Sequence, residues 1–441
     1  MAGLFVRRTP GVPPLKRAAK NSDAKRRMSP VAGPALTLGA AVCYAGPDRM
    51  PESNGPARKL KKQRGIFALS VFAAVLLAGV YLQHIRKDMT DFGVCYRGGQ
   101  RIIQGETLYR VSDGHLQFKY SPAAAAFFAP LALLPWEAAK AAWYVLEIAF
   151  LAGIFLIFSR ILALPGKRAA SVFLWTFLIE LKFLGRELEL GQVNLLILFA
   201  LTLMLYCLIR EKETRAGWLW GGTLIFKPYA LVFLPYFLIK RRFRALAAGI
   251  VAPAAGLILP ALFYGIKGSF VVLREWPATL SKSTAGLLAS YDNASLYGFL
   301  LKAFPTASGW LIKIVFLAVF AWLAAAVFWM MRAGRRAPAI KSPEALEGAF
   351  LFILIPLFSP LGWNYNYLYS LPAVMLIVHT WDDFPKAGRI ILGANFLLIG
   401  TSLVELWGRG AFHFYTNHAL VVLNFMIVLA SLVYLRMKAK A

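Results

Sequence analysis

Residues 311–331 read LIKIVFLAVFAWLAAAVFWMM, with Lys313 as the single charged side chain. A helix of this length rises about 30 Å, which matches the hydrocarbon core of a bilayer. Two further runs, Ile66 to His84 and Val193 to Ile209, are comparably apolar. None shows the period-two alternation of a membrane barrel strand, and in lipid the backbone must satisfy its own hydrogen bonds. The sequence therefore predicts an all-α polytopic membrane protein.

The composition of the whole chain supports this prediction. Of its 441 residues, 59% are hydrophobic and 16% are charged, whereas soluble domains have about 45–50% apolar and about 25% charged residues. A net charge of +28 would suggest nucleic acid in a soluble protein. Here the basic residues cluster between apolar runs, as they do in cytoplasmic loops. We therefore expect membrane lipid as a partner and no nucleic acid.

Three segments divide the chain. Residues 1–65 are rich in Pro, Gly, Lys and Arg, which predicts a disordered basic cytoplasmic extension. Residues 66–436 are the predicted transmembrane domain, and residues 437–441 are a short cytoplasmic tail. Met50 stands before a shorter basic lead-in and is a second candidate for the translation start.

Basic clusters set the expected topology, because Lys and Arg are enriched in cytoplasmic loops. Two segments break simple alternation: Ser121 to Pro135 is short and Pro-rich, and Trp218 to Ile239 carries Lys227-Pro228 in its middle. If both are broken or re-entrant hairpins, every basic cluster lies inside, and the chain has about ten full transmembrane helices plus two hairpins. The alternative is two short, kinked spans with local topology exceptions. The basic clusters are Arg160 with Lys167 and Arg168; Arg210, Lys212 and Arg215; Lys240 to Arg244; Arg332, Arg335 and Arg336; Lys386 and Arg389; and Arg436 to Lys440.

With this topology four polar patches meet on the outer face. They are Asp88 with Asp91, GRELELGQVN at 185–194, YDNASL at 291–296 and SPLGWNYNY at 359–367. Irregular backbone at membrane depth is tolerated only where it is buried in protein or lines a cavity. The convergence of polar patches and broken helices therefore predicts a site on that face.

Asp91 is the candidate general base, because a carboxylate at the aqueous boundary of a helix can accept a proton from an acceptor hydroxyl. Asp88 lies three residues earlier and could share its helical face; alternatively, both are a solvated pair at a helix end. Gln192 and Asn194 could bind sugar hydroxyls or cap the following helix. Lys227 lies in an apolar stretch, where a lysine is usually paired or functional. It could contact a lipid phosphate or extend its amine to the membrane surface.

Several short stretches follow one another in an order that resembles glycosyltransferase family 87, a polyprenyl-phosphate-dependent mannosyltransferase-like family of the GT-C superfamily. The resemblance covers roughly residues 66 to 405. The matching stretches are Thr90-Asp91-Phe92 with Tyr96, Gly105-Glu106-Thr107-Leu108-Tyr109, Phe118-Lys119-Tyr120-Ser121-Pro122, Pro130-Leu131-Ala132-Leu133-Leu134-Pro135, Gly191-Gln192-Val193-Asn194, Lys227-Pro228, Asn293-Ala294-Ser295-Leu296 and Ser359-Pro360-Leu361-Gly362-Trp363.

The resemblance implies a GT-C-type fold and an inverting, metal-independent hexose transfer without a cofactor. The expected donor is a polyprenyl-phosphate sugar, with mannose as the expected hexose, and the acceptor is a lipid or glycan on the outer face of the plasma membrane. Asp91 takes the role of base. Family members with established mannosyl transfer tend to carry His after the Ser-Pro-x-x-Trp stretch, where this chain has Asn364, Tyr365 and Asn366. The residues expected to bind substrate are Asp88, Arg97, Tyr120, Arg186, Glu187, Gln192, Asn194, Lys227, Asn293, Ser295, Trp363, Asn364 and Asn366.

Two other classes of protein remain possible from the sequence. A transporter or flippase of lipid-linked saccharides would also use broken helices with polar residues at depth, although the two related halves typical of transporters are not visible in the sequence. A non-catalytic membrane scaffold would leave the acidic and amide residues on one face unexplained.

Overall fold

A computed structural model describes residues 75–332 and 342–438. The predicted N-terminal extension, the start of the first apolar run and residues 439–441 lie outside the described residues. Within the described ranges the chain is helical and has no β-strand; one isolated bridge joins Asn293 and Trp363. The all-helical architecture agrees with the prediction from the apolar runs.

The helices are numbered here in chain order after a first helical stretch at residues 75–83. Short 3-10 helices lie between them at Ile85–Lys87, Val111–Leu116, Pro228–Phe233, Asn364–Ser370 and Trp381–Asp383. The α-helices are α1 Thr90–Ile103, α2 Pro122–Ala132, α3 Trp136–Ile161, α4 Gly166–Leu190, α5 Asn194–Ile209, α6 Glu213–Leu224, α7 Leu234–Ile239, α8 Phe243–Gly256, α9 Ala261–Ala285, α10 Leu296–Ala303, α11 Gly309–Arg332, α12 Pro343–Phe358, α13 Leu371–His379, α14 Lys386–Thr401, α15 Val404–Asn417 and α16 Val421–Lys438.

A buried carboxylate connects three of the basic loops. Glu347, near the start of α12, is fully buried. Its Oε1 accepts hydrogen bonds from Lys240 and from Arg436, each at 2.8 Å. A buried carboxylate is costly unless it is paired and hydrogen-bonded. Glu347 therefore holds the end of α7 and the end of α16 together at one end of the helix bundle.

Two aspartates after α13 connect further basic loops at the same end. Arg168 and Arg389 each lie 3.9 Å from a carboxylate oxygen of Asp382. Lys438, at the end of α16, donates to Asp383 at 2.9 Å. The loops that carry residues 167–168, 240–244, 386–389 and 436–438 therefore share one end of the bundle, which we call the basic end.

The chain reverses direction at Lys227. Trp220 of α6 donates through Nε1 to the carbonyl oxygen of Ala230 at 2.7 Å, and its ring lies 4.8 Å from that of Phe237 in α7. Arg242 pairs with Glu213 at 2.9 Å, so both ends of this segment meet at the basic end. This is the reversal that the sequence predicted for 218–239. Lys227 lies at its tip.

The predicted hairpin within Ser121 to Pro135 was wrong. This segment forms one helix, α2, capped by the Ser121 hydroxyl, and it runs antiparallel to α1. A Cβ at Gly99 of α1 would lie 2.9 Å from the carbonyl oxygen of Phe128, so glycine permits this close packing. The hairpin is instead built by α1 and α2 together.

The number of spanning helices is lower than the sequence predicted. In the described ranges three helices are long and apolar enough to cross a membrane: α3, α11 and α16. The count reaches five if α8 with α9 and α14 with α15, bent by 93° and 100°, are each one span. About ten full spans were expected. The difference arises because α5 and α12 have 16 residues each, and because α4 carries charges along its length.

Candidate functional site

The chain segments farthest from the basic end meet at the other end of the bundle, which we call the site end. Helix α4 begins beside the basic end and finishes at Leu190; α5 starts at Asn194 and returns. The tip of the 213–242 reversal, at Lys227, lies at this end too. The 3-10 helix Asn364–Ser370 completes the group.

The turn between α4 and α5 depends on a glycine. Gly191 has φ of +66°, and a Cβ there would lie 2.7 Å from the Cβ of Phe92. Phe92 stacks between Trp136 and Trp143, and Trp143 donates to the Gly191 carbonyl at 3.1 Å. Only glycine combines a left-handed backbone with so close a neighbour. This contact brings Gln192 beside the first turn of α1.

One amide joins a carboxylate and an amine at the centre of the site. The Gln192 Nε2 donates to the carboxylate of Asp91, and also to the Tyr365 hydroxyl at 3.2 Å. Its Oε1 accepts from the Lys227 amine at 3.2 Å and from the Tyr120 hydroxyl at 3.4 Å. Gln192 therefore joins three other predicted residues that are distant in sequence, Asp91, Tyr120 and Lys227.

A second layer of buried groups fixes Lys227. Its amine donates to Asn194 Oδ1 at 2.8 Å. The Asn194 amide donates to Glu187 at 2.8 Å and to Asn366 Oδ1 at 3.3 Å. Glu187 also accepts from the backbone N–H groups of Asn194 and Leu195, so its carboxylate caps α5. Capping therefore falls to Glu187, and the Asn194 side chain is directed to Lys227 instead.

The side chains of Asp91, Gln192 and Lys227 line a cavity of about 1790 Å³. At the site end its wall includes Asp91, Lys119, Gln192, Lys227 and Tyr365. The remaining wall is mostly apolar and comes from the 3-10 helix Pro228–Phe233 and from α7, α9, α11 and α12. It reaches Ile239 and Met331, which lie beside Lys240 and the basic end. The cavity therefore runs along much of the bundle, with a polar end and an apolar length.

Helix α9 covers one side of the cavity. Residues 275–285 line it, and Trp276 donates through Nε1 to the Lys119 carbonyl at 3.1 Å. The helix is bent by 93° from α8, so it lies across the end of the bundle. Its exposed residues include apolar Phe270 and Val271.

Asp88, Arg97 and Arg186 were predicted to bind substrate and are not in the cavity wall. Asp88 is exposed and precedes α1, so it does not share a helical face with Asp91. Arg186 pairs with Glu189 at 2.7 Å near the rim of the site. Arg97 lies on α1 near Asp113, whose charge it helps to stabilise.

The third polar patch supports the fold. The Asn293 amide donates to the carbonyl oxygens of Leu288 and Pro360, and its Oδ1 accepts from the N–H groups of Ser295 and Gly362. The Ser295 hydroxyl caps α10. Both side chains are fully buried and outside the cavity wall, so their contacts support the fold, and the expectation that they bind substrate stays a prediction.

Residues of the fourth patch, 359–367, lie in different surroundings. Trp363 lines the cavity, Asn366 is buried against Asn194, and Asn364 is half-buried outside the cavity wall. Tyr365 contacts Gln192, although it was not among the expected site residues. The expected departure from the family pattern at Asn364-Tyr365-Asn366, after Trp363, was the signal that could have identified it. Lys119 and Tyr229 also line the cavity. Lys119 stands in the Phe118-Lys119-Tyr120 stretch of the family resemblance and Tyr229 follows Lys227-Pro228, but neither was singled out as a site residue.

The surroundings shift the pKa of two titratable groups outside the spanning helices. Burial raises the pKa of the Tyr120 phenol well above its ordinary value, so Tyr120 stays neutral and donates to Gln192. Hydrogen bonds from the Arg101 guanidinium, at 2.5 and 2.9 Å, lower the pKa of Asp113. The Arg101–Asp113 pair therefore ties the segment after α1 to that helix.

The chain is similar to two curated mycobacterial proteins, both named polyprenol-phosphate-mannose-dependent alpha-(1-2)-phosphatidylinositol pentamannoside mannosyltransferase. The protein of Mycolicibacterium smegmatis is 31% identical over 170 residues, which cover 37% of this chain and 40% of the relative. That of Mycobacterium tuberculosis is 32% identical over 155 residues, or 33% and 35% of the two chains. The matches span less than half of each relative, and no solved structure matches the chain.

The profile of glycosyltransferase family 87 matches residues 118–360, which is more than half of the chain. The matched range contains the Gln192 turn, Lys227 and the wall of the cavity, whereas Asp91 precedes it. The chain belongs to glycosyltransferase family 87.

Proposed function

We propose that this protein transfers a hexose from a polyprenyl-phosphate carrier to a lipid or glycan acceptor, with mannose as the sugar and with a GT-C-type fold. Family membership and the names of the two mycobacterial relatives support a donor of this kind. The observation that carries the proposal is the Gln192 amide, which joins the Asp91 carboxylate to the Lys227 amine at the polar end of a long apolar cavity.

The reaction needs a base and a cation, and the site holds both. The acceptor hydroxyl oxygen attacks the anomeric carbon, and the bond from that carbon to the phosphate oxygen breaks. The leaving polyprenyl phosphate keeps the electron pair, and Lys227 balances its charge. Asp91 accepts the hydroxyl proton, and Gln192 fixes the direction of its carboxylate. Attack opposite the leaving group inverts the anomeric centre, and no metal ion or cofactor takes part.

The cavity suits the lipid part of the donor. Its polar end is formed by Lys227 and the residues around it, and its apolar wall extends toward Met331 near the basic end. A polyprenyl chain buried against such a wall is stabilised by about 25 cal/mol for each Å² of apolar surface removed from water. The carrier phosphate then lies beside the Lys227 amine.

The position of the basic loops supports an orientation of the protein in the membrane. Lysine and arginine are enriched in cytoplasmic loops, and the basic loops of this chain meet at one end of the bundle. When the basic end lies in the cytoplasm, Asp91 and Lys227 lie toward the outer face of the plasma membrane. The sugar is therefore transferred outside, where lipid-linked donors replace nucleotide sugars.

The proposal is tested by incubating membranes that contain the protein with radiolabelled polyprenyl-phosphate mannose and a mixture of lipid acceptors. A new labelled glycolipid with an inverted anomeric linkage is the expected product. The parallel reaction with a labelled nucleotide sugar, in membranes lacking the enzyme that makes the lipid donor, should give none. Movement of the labelled donor across the membrane without a new glycosidic bond would indicate a transporter or flippase and contradict the proposal.

A further inference from the structure

A second cavity lies at the basic end, far from the site. It has a volume of about 670 Å³ and is formed by the turn before α6 and the turn before α8. Five cations line it: Lys212, Arg215, Arg241, Arg242 and Arg244. The carboxylates in its wall are Glu211 and Glu213, and Glu213 is already paired with Arg242. The cavity therefore carries an excess of positive charge.

The two helices that start at this cavity are parallel and in close contact. A Cβ at Gly217 would lie 2.1 Å from the carbonyl oxygen of Ala245, and one at Gly221 would lie 2.4 Å from that of Gly249. Because both contacts advance in the same direction along the chain, α6 and α8 run side by side. Their N-termini consequently open into the same cavity.

Apart from Glu213, which pairs with Arg242, the charges around these N-termini are the reverse of what a helix prefers. The positive end of the helix dipole is stabilised by anions and destabilised by nearby cations. Here the N-cap residues are Lys212 and Arg242, and neither side chain caps its helix. Arg215 and Arg244 add two exposed cations within the first turns. An anion in the cavity would offset this unfavourable arrangement.

The turns themselves are alike and strained. Glu211 has φ of +57° and Arg241 has φ of +55°, a conformation that side chains other than glycine seldom adopt. Each is followed by a basic N-cap residue with nearly the same backbone angles. This conformation ends the two preceding helices, and it gives the two basic N-cap residues matching positions at the cavity.

The surface next to the cavity is apolar. Phe243 lines the cavity and is 59% exposed, and Ile250 and Leu257 follow it at intervals of seven residues along α8, both exposed. A spacing of seven places them on one face of the helix. A ligand with a phosphate in the cavity and acyl chains along this face would match both surfaces.

We propose that the cavity between the α6 and α8 turns binds the phosphate of an anionic membrane phospholipid at the basic end of the bundle. Lys212, Arg215, Arg241 and Arg244 contact the phosphate, and the Phe243–Ile250–Leu257 face contacts the acyl chains. A free phosphate would use the cations and not this face. The site is separate from Lys227 and does not depend on the sugar-transfer reaction.

The test uses the purified full-length chain in detergent, with lipid binding counted by native mass spectrometry. The probes are phosphatidylglycerol, phosphatidylcholine and inorganic phosphate. The pocket variant is Arg215→Gln with Arg244→Gln, and the matched control is Lys167→Gln with Lys386→Gln, which removes the same charge from exposed positions outside the cavity. Unchanged melting temperatures in phosphatidylcholine verify that both variants are folded.

Wild type and control should bind phosphatidylglycerol in preference to phosphatidylcholine, and the pocket variant should bind it roughly thirtyfold more weakly, about fivefold for each charge removed. Equal weakening in both double variants would show a general charge effect and overturn the proposal. Displacement of the lipid by millimolar inorganic phosphate, or the absence of a preference for phosphatidylglycerol in wild type, would overturn it as well.

Discussion

At the scale of single residues, Gly191 and Gln192 decide the geometry of the site. Gly191 adopts a left-handed conformation against Phe92, and Gln192 then contacts Asp91, Lys227 and Tyr365. The sequence indicated both residues through the polar patch at 185–194. It could not show which partner each side chain selects, because those partners come from helices far apart in the chain.

Gly191→Ala should reduce both stability and turnover. A Cβ at this position is strained by its positive φ and meets Phe92, which costs about 1–3 kcal/mol. The matched control is Gly185→Ala, in the same helix, where a Cβ meets nothing within 4 Å and helix propensity favours alanine by about 1 kcal/mol. Thermal unfolding in detergent measures the difference. Equal melting temperatures for the two variants would contradict the role of Gly191.

Lys227→Met should raise the KM for the lipid donor far more than the KM for the acceptor, because the amine balances the donor phosphate. An effect of about 10–100-fold on donor KM is expected for losing one charge-assisted contact. Lys267→Met, at an exposed position of α9 outside the cavity wall, is the control and should change neither constant. Equal changes in both constants for Lys227→Met would assign the lysine a structural role.

Asp113 gives a prediction about pH. Its pKa is lowered by the Arg101 guanidinium, so its contribution to stability is complete above the pKa of the unfolded chain, about 4, and is lost as the pH falls through the lower folded value. Asp113→Asn should cost about 1 kcal/mol at neutral pH, with the difference from wild type decreasing as the pH falls below about 4. Melting curves between pH 3 and pH 7 (roughly the range in which Asp titrates) test this. A constant difference over that range would exclude the ion pair as the cause.

At the scale of elements, the reversal at Lys227 was predictable and the α1–α2 hairpin was not. A proline-broken apolar segment with basic residues at both ends indicates a return to the same side, and the Glu213–Arg242 pair shows that its ends meet. The α1–α2 hairpin depends on the packing of Gly99 against Phe128. That contact joins two segments, and the local sequence pattern of neither one indicates that it packs against the other.

Cysteine labelling of intact cells tests the reversal. In a variant without native cysteines, Thr214→Cys and Arg244→Cys should both be protected from a membrane-impermeant maleimide and become labelled after permeabilisation. Ser281→Cys, exposed on α9 at the site end, is the control and should be labelled in intact cells. Opposite accessibility of positions 214 and 244 would mean that the segment crosses the membrane and does not return.

At the scale of the whole molecule, the sequence predicted two opposed ends more reliably than it predicted the number of spans. Charge clustering identified the loops that Glu347, Asp382 and Asp383 hold together. The span count failed because α5 is short and lies inside the bundle, and because α4, although long, carries charges along its length. Polarity alone also gave no indication that the side-chain hydrogen bonds of Asn293 are all made with the protein backbone.

The central claim is that Asp91 is the base of a sugar transfer at the site end. It is tested by measuring turnover of Asp91→Asn with labelled polyprenyl-phosphate mannose and acceptor, beside Asp88→Asn as the control. Positioned proton transfer contributes about 10²–10⁴-fold in rate. Asp91→Asn should therefore lose that much turnover while the protein remains folded in the membrane. Asp88→Asn should retain nearly all of it, since Asp88 is exposed and outside the cavity wall. Near-normal turnover in Asp91→Asn would contradict the account.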